Sequence, residues 1–302
     1  MPRIAVIGGL IVAVLCWGLA PVAMRHLVTE ITPMQMVAVR LAIASVLFLP
    51  ILLQIRAVGW TRRDLLLAAL LGLVGMDGYY IPVTFGAQWI SSGLIGLLSA
   101  TGPIMIILLS VLFLKERPSR GLFLGLGLSL VGLVILLGPS ALQPALQSAS
   151  QPTLQPIAQS SGTLIGVGLV LLSVLMWSIY CVAMKPLSLK YGVLPFTSVN
   201  TLASALLPTL FMGDGLAENL SQLDPIGWLA LLLLAIGSTV MATLLWNLGV
   251  SHLGASQAGL FLYVIPLASV LGGYLFLGET IGLDVVLGGL MILAGVAIAQ
   301  LR

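Results

Sequence analysis

Ten apolar runs, each of about 20 residues and so long enough to cross roughly 30 Å of hydrocarbon at about 1.5 Å per residue, fill most of the sequence. They cover 4–24, 33–53, 65–86, 91–114, 120–138, 162–184, 193–212, 226–247, 254–277 and 281–300, and are numbered here as spans 1 to 10. Backbone in lipid has to satisfy its own hydrogen bonds, so runs of this kind fold as helices. Only 7% of the 302 residues are charged, against roughly 25% in an ordinary soluble domain. So few charges cannot cover a water-soluble globule of this size. The fold class is therefore all-α integral membrane, with ten transmembrane helices.

Residues 139–161, rich in Gln, Ser, Pro and Ala and lacking apolar periodicity, divide the spans five and five. The stretch reads as a flexible outer linker between a first five-helix repeat over 1–138 and a second over 162–302. The halves repeat one another. At an offset of 160, Trp17, Val22-Ala-Met24, Arg25 and Leu27 match Trp177, Val182-Ala-Met184, Lys185 and Leu187. At an offset of 163, Gly86, Gly96, Pro103, Glu116, Gly125 and Gly132 match Gly249, Gly259, Pro266, Glu279, Gly288 and Gly295. Apolar helices match Leu to Leu by chance, but not Trp, Pro, Glu and four glycines in a consistent order. Arg3 before an apolar run superficially suits a signal peptide, yet the counterpart of span 1 is internal, so span 1 reads as a membrane helix. A repeat with an odd number of helices makes the next copy enter the bilayer from the other side. The chain is thus expected to be two inverted repeats of five.

The basic residues set the orientation. With the N-terminus inside, ten of the twelve lie on the cytoplasmic side: Arg3, Arg56, Arg62, Arg63, Lys115, Arg117, Arg120, Lys185, Lys190 and Arg302. Arg25 alone is outside, and Arg40 lies within span 2. The positive-inside rule then places both termini in the cytoplasm (N-in/C-in) and the linker outside. The net charge of +3 is a topological signal, and no basic cluster is large enough to suggest nucleic acid.

Several chemistries are missing from the sequence. Cys16 and Cys181 follow no metal or redox spacing, and there is no nucleotide-binding Gly loop, HExxH, or Ser/His/Asp set. An enzyme, a cofactor and a metal are not expected, and His26 and His252 are expected to face solvent without a metal partner.

The ten spans, the duplicated Trp-x(4)-Val-Ala-Met-Arg/Lys ending of spans 1 and 6, Arg40 inside span 2, and Pro-x(9)-Phe-Leu-x-Glu closing spans 4 and 9 resemble the EamA family of the drug/metabolite transporter superfamily. The resemblance covers essentially the whole chain, and amino-acid exporters of the YddG type are similar in length and aromatic content. It implies export of small metabolites through a central cavity formed mainly by spans 1, 3, 4, 6, 8 and 9. The linker is long for the family, and Ser178 and Tyr180 stand where span 1 has Gly18 and Ala20, so the halves are not equivalent in that cavity.

Within this frame the candidate substrate-binding residues are Trp17, Tyr79, Tyr80, Ser99, Thr101, Trp177, Tyr180, Trp246 and Tyr263. Aromatic groups with an OH or NH inside a span need a polar partner, which a hydrated path supplies; Trp89 reads instead as an interfacial belt residue. Pro103 and Pro266 are expected to kink spans 4 and 9 and free the carbonyls of Ser99 and Leu262, either for substrate or for a packing kink satisfied by Ser99 and Thr101. Arg40 and Asp77 are ionisable groups deep in the bilayer. Counted along antiparallel spans they could meet, either as an ion pair bracing spans 2 and 3 or with Asp77 as a titrating carboxylate for proton coupling. Glu116 and Glu279 are read as structural partners of the next helix's N-terminus. Gly121, Gly125, Gly288 and Gly289 are read as faces for close packing inside the monomer.

The expected function is a secondary transporter of the inner membrane that exports small metabolites by alternating access. Amino acids, aromatic ones included, suit a charge-poor aromatic cavity. A nucleotide-sugar, sugar-phosphate or drug transporter is the alternative, and an intramembrane enzyme or a non-transporting subunit the alternative of another class. Its partners would be the small-molecule substrate and the bilayer, with the protein a monomer or a dimer.

Overall fold

The computed structural model describes residues 2–27, 30–52, 59–86, 89, 95, 98–99, 101–150, 157–277 and 282–300, and all regular structure among them is helical. The first half contains α1 (Arg3–Leu27), α2 (Pro33–Leu52), α3 (Arg62–Gly72), α4 (Gly78–Gly86), α5 (Gly102–Leu114) and α6 (Arg120–Ser150). The second contains α7 (Ile157–Tyr191), α8 (Val193–Ser204), α9 (Leu206–Phe211), α10 (Leu216–Gln222), α11 (Pro225–Leu232), α12 (Ala242–Leu253), α13 (Ala255–Gly259), α14 (Val264–Leu277) and α15 (Leu283–Gln300). A π-helical stretch, Leu73–Asp77, joins α3 to α4, and another, Leu233–Met241, joins α11 to α12. A 3-10 turn, Leu260–Tyr263, joins α13 to α14.

Among the described residues, seven continuous stretches are long and apolar enough to cross a membrane: Arg3–Ala20, Pro33–Ile51, Arg62–Val83, Gly162–Tyr191, Val193–Phe211, Pro225–Leu253 and Ala255–Gly272. Three shorter apolar helices are Gly102–Leu114, Arg120–Leu136 and Val286–Gln300. Leu66, Phe113, Leu124, Leu164, Leu210 and Leu229 point outward and are largely exposed, a surface suited to lipid and not to water. The chain is an all-helical, multi-pass membrane protein. One difference from the sequence reading concerns the linker: α6 continues to Ser150 and α7 begins at Ile157, so helical backbone occupies much of 139–161. Residues 151–156 lie outside the described residues.

The halves interlock and do not form separate bundles. α1 packs on α12 and α14, whereas α7, its repeat, packs on α4 and α5. Likewise α2 packs on the Leu233–Met241 stretch and α8 on α3. Gly249 gives room to Leu10, and its counterpart Gly86 gives room to Val170, 160 residues beyond Leu10. The same exchange governs α6 and α15. An added methyl at Gly132 would stand 2.7 Å from the Gly288 carbonyl oxygen, and one at Gly295 would stand 2.6 Å from that of Gly125. The two helices therefore run antiparallel with bare backbones touching, the close approach that small residues permit. This is the packing inside the monomer expected of Gly125 and Gly288. At the chain ends, Arg3 Nη2 donates to the Gln300 carbonyl at 2.8 Å, which brings the start of α1 to the end of α15.

Pro103 and Pro266 do not kink unbroken helices. Pro103 lies in the first turn of α5, after Thr101, and Pro266 in the first turn of α14, after the 3-10 turn. A first-turn N–H has no intrahelical acceptor, so its loss there costs little. Of the five positive-φ glycines among the described residues, Gly192 (φ 90°) breaks the chain before α8 and Gly254 (φ 94°) before α13. At Gly254 a Cβ would also stand 2.8 Å from Glu116 Oε1.

Candidate functional site: an aromatic cluster beside a buried arginine

Most of the candidate aromatic residues meet where the halves interlock. Trp17 on α1 and Trp177 on α7, equivalent by the repeat, lie edge to face with ring centroids 5.5 Å apart. Trp246 on α12 lies 5.3 Å from Trp17 and 6.1 Å from Trp177. Tyr180 stacks on Trp177 at 5.3 Å, while Tyr79 reaches Trp177 at 5.9 Å and Tyr80 at 5.5 Å. Offset and edge-on contacts at these separations are favourable, each worth about 0.5–1.5 kcal/mol beyond area burial. Trp246, Tyr180 and Tyr263 are buried in the main core; Trp17, Trp177, Tyr79 and Tyr80 are half-buried. These four are the rings of the cluster that keep some exposed surface.

The remaining candidates are placed differently. Thr101 donates its hydroxyl to the Leu98 carbonyl at 2.6 Å, and Ser99 is half-buried; no ring contact among the described residues joins either to the cluster. Trp89 is 51% exposed, as suits the membrane interface. Glu279 lies outside the described residues, and nothing is described of the Arg25 side chain.

Arg40 and Asp77 are both buried, but they do not pair. Arg40 Nε donates to Thr239 Oγ1 at 2.9 Å, and Nη2 donates to the Tyr80 hydroxyl at 2.9 Å and to Ser238 Oγ at 3.3 Å. The guanidinium also lies over the Tyr80 ring, 4.6 Å from its centroid, a cation–π contact. Both Asp77 carboxylate oxygens are buried without a hydrogen bond among the described residues. The expected Asp77–Arg40 pair is absent: Arg40 links spans 2 and 3 through the Tyr80 hydroxyl instead, and ties α2 to the second half through Ser238 and Thr239.

Both π-helical stretches border this place: one ends in Asp77, and the other carries Ser238 and Thr239. Such stretches tend to occur at functional sites, where an extra residue in the turn re-aims side chains. Here the Thr239 hydroxyl bonds the Leu234 carbonyl, five residues back, at 2.9 Å. Ser238 and Thr239 were absent from the sequence candidates, as were Asn247 and Thr197. Asn247 Nδ2 donates to the Tyr180 hydroxyl at 2.8 Å and to Thr197 Oγ1 at 2.9 Å, so the Tyr180 OH is held inside the protein. A polar amide next to Trp246 in an apolar span was the available signal.

Two further groups lie toward the helix ends. His26 Nε2 is 3.1 Å from Asp224 Oδ1 and 3.8 Å from Glu30 Oε1, which corrects the expectation of a solvent-facing histidine with no ligand-type neighbour. Folding α1 against the N-cap of α11 gathers these three residues, with ligand atoms within 4.8 Å of one another. The backbone N–H of Gly227, followed by His26, holds the Asp224 carboxyl below the usual carboxylate range. Glu116 does not serve the helix that follows it. Its Oε1 and Oε2 accept from the backbone N–H groups of Ala255 and Ser256, each at 3.2 Å, and Oε1 also from Lys185 Nζ at 2.7 Å.

The relatives of the chain agree with a membrane transporter. An uncharacterized transporter of Archaeoglobus fulgidus is 29% identical over 283 residues, covering 93% of this chain and 94% of the relative. The uncharacterized transporter YdfC of Bacillus subtilis is 29% identical over 292 residues, covering 95% and 88%. A probable terminal-alkyne amino-acid exporter of Streptantibioticus cattleyicolor is 25% identical over 245 residues, covering 80% and 74%. A crystal structure at 20% identity superposes with a TM-score of 0.75, covering 98% of this chain and 97% of the other, and so shares the fold. The model of the EamA-like transporter family matches residues 4–138 and 164–300. With nearly every span inside those two matches, the chain belongs to the EamA-like transporter family.

Proposed function

We propose that this transporter is a secondary exporter of the inner membrane that moves small amphiphilic metabolites, amino acids including aromatic ones, by alternating access. The carrying observation is the ring cluster at the crossing of the halves, where Trp17 meets its repeat Trp177 and half-buried Tyr79 and Tyr80 adjoin them. Aromatic faces with few fixed charges suit a net-neutral zwitterion with an apolar side chain. They suit a phosphate-bearing sugar poorly, since that wants several interior Lys or Arg.

In this reading ten helices form two inverted repeats, 1–138 and 162–302, with 139–161 outside and both termini in the cytoplasm. The antiparallel contact of α6 with α15 and the meeting of Arg3 with Gln300 support it, as does the bias of basic residues. The same observations favour a monomer, whose repeats complete one another. Asp77, buried without a bond partner, is the group proposed to titrate if export is coupled to protons.

Counterflow of radiolabelled phenylalanine and tryptophan in proteoliposomes tests the reading. Exchange above empty liposomes, reduced in Trp177→Ala, is the expected result; intact protein that exchanges no amino acid overturns it.

A further inference from the structure

Arg40 is fully buried, yet no carboxylate among the described residues forms an ion pair with it. A buried charge without a counter-charge is costly in a membrane and by default marks a functional site. Hydroxyls meet part of the need: Thr239, Tyr80 and Ser238 accept from Nε and Nη2, while Nη1 is buried with no hydrogen-bond partner among the described residues. The Thr239 proton is committed to the Leu234 carbonyl. Tyr80 and Ser238 accept from the guanidinium and keep their own protons to donate. Nη1 and these two hydroxyls form a cluster of donors around a positive charge, and among the described residues only neutral hydroxyls accept from it. Its missing component is an anion.

The cluster lies at one end of the ring assembly. Trp17 Nε1 donates to the Ser238 carbonyl at 2.9 Å, and Tyr80 continues through Tyr79 to Trp177. Tyr80 keeps some exposed surface whereas Arg40, Ser238 and Thr239 are buried, so Tyr80 is the side from which a ligand would reach them. One guanidinium neutralises one negative charge, which matches a carboxylate and not a phosphate dianion.

We propose that Arg40, with the hydroxyls of Tyr80 and Ser238, binds the carboxylate of the transported molecule, whose apolar part lies along Tyr79, Trp177 and Trp17. The inference deepens the exporter reading and rests on it for transport, but carboxylate binding can be measured on protein that transports nothing.

The probes are phenylacetate and phenylacetamide, which share a shape and differ in charge, tested by their effect on the melting temperature of the purified full chain. Phenylacetate is expected to bind at least tenfold more tightly than the amide. Arg40→Gln is expected to abolish that preference, and Tyr80→Phe and Ser238→Ala to reduce phenylacetate affinity several-fold. Equal affinity for acid and amide overturns the proposal, as does a preference that survives in Arg40→Gln. If Arg40→Gln does not fold, unchanged phenylacetate affinity in both hydroxyl variants overturns it instead. Absent amino-acid counterflow with the acid preference intact overturns only the exporter reading; counterflow without acid preference overturns only this site.

Discussion

Lys185 Nζ lies 2.7 Å from Glu116 Oε1, so an ion pair joins the turn after α5 in the first half to α7 in the second. Burial alone would raise the Glu116 carboxyl, but hydrogen bonds from Lys185 and Ser256 outweigh it and hold the group below its ordinary value.

Glu116→Gln removes a half-buried charged acceptor and leaves Lys185 unpaired, a loss of about 1.5–3 kcal/mol on the scale of charged hydrogen bonds. A thermal melt of the detergent-solubilised protein checks it, and a double-mutant cycle with Lys185→Met isolates the pair. Because the folded-state value is depressed, this stabilisation is fully present above the unfolded carboxyl value of about 4.3. It is lost as pH falls through the lower, folded value. Wild type is therefore expected to lose stability more than Glu116→Gln on acidification below about pH 4.3.

Gly125→Ala should destabilise the protein by about 1–3 kcal/mol, since the new methyl would meet the Gly295 carbonyl and Ala299. Gly127→Ala, two residues away, meets nothing within 4 Å and should be neutral or slightly stabilising. Comparing the two melting temperatures separates backbone contact from helix propensity, which changes equally in both.

Asp77→Asn keeps the shape of a side chain whose oxygens have no hydrogen bonds, so folded yield should be unchanged. If the carboxylate titrates during transport, amino-acid flux in proteoliposomes loses its response to an imposed pH gradient. Retained gradient dependence in the variant excludes Asp77 as the coupling group.

A fluorescent protein fused after Arg302 should be fluorescent in cells, and alkaline phosphatase fused after Ala145 should be active, if the C-terminus is inside and the linker outside. The opposite pair of results would reverse the orientation drawn from the basic residues.

The repeat was readable in the sequence because Trp17, Trp177, Gly125 and Gly288 are chemically distinct from the Leu and Val around them. That Arg40 would lie inside the protein was readable too, from its place within span 2. Its partners were not: Ser238 and Thr239 lie about 200 residues away on a helix whose small hydroxyls show no spacing of their own. The Asp77–Arg40 pair failed for the same reason, since depth in the bilayer fixes height but not which way a side chain faces. In Glu116 the role of structural carboxylate was legible and the helix it serves was not, because neighbours in sequence are not neighbours in an interlocked fold.

The contact of Trp17 with Trp177 has a consequence for how such a protein can evolve. In a dimer of two identical five-helix chains, a residue at the dyad meets its own copy, and every mutation there strikes both sides together. Joining the copies into one gene removes that constraint. A lone cation such as Arg40 and a lone carboxylate such as Asp77 can then occupy one side only, giving a symmetric scaffold a directional interior.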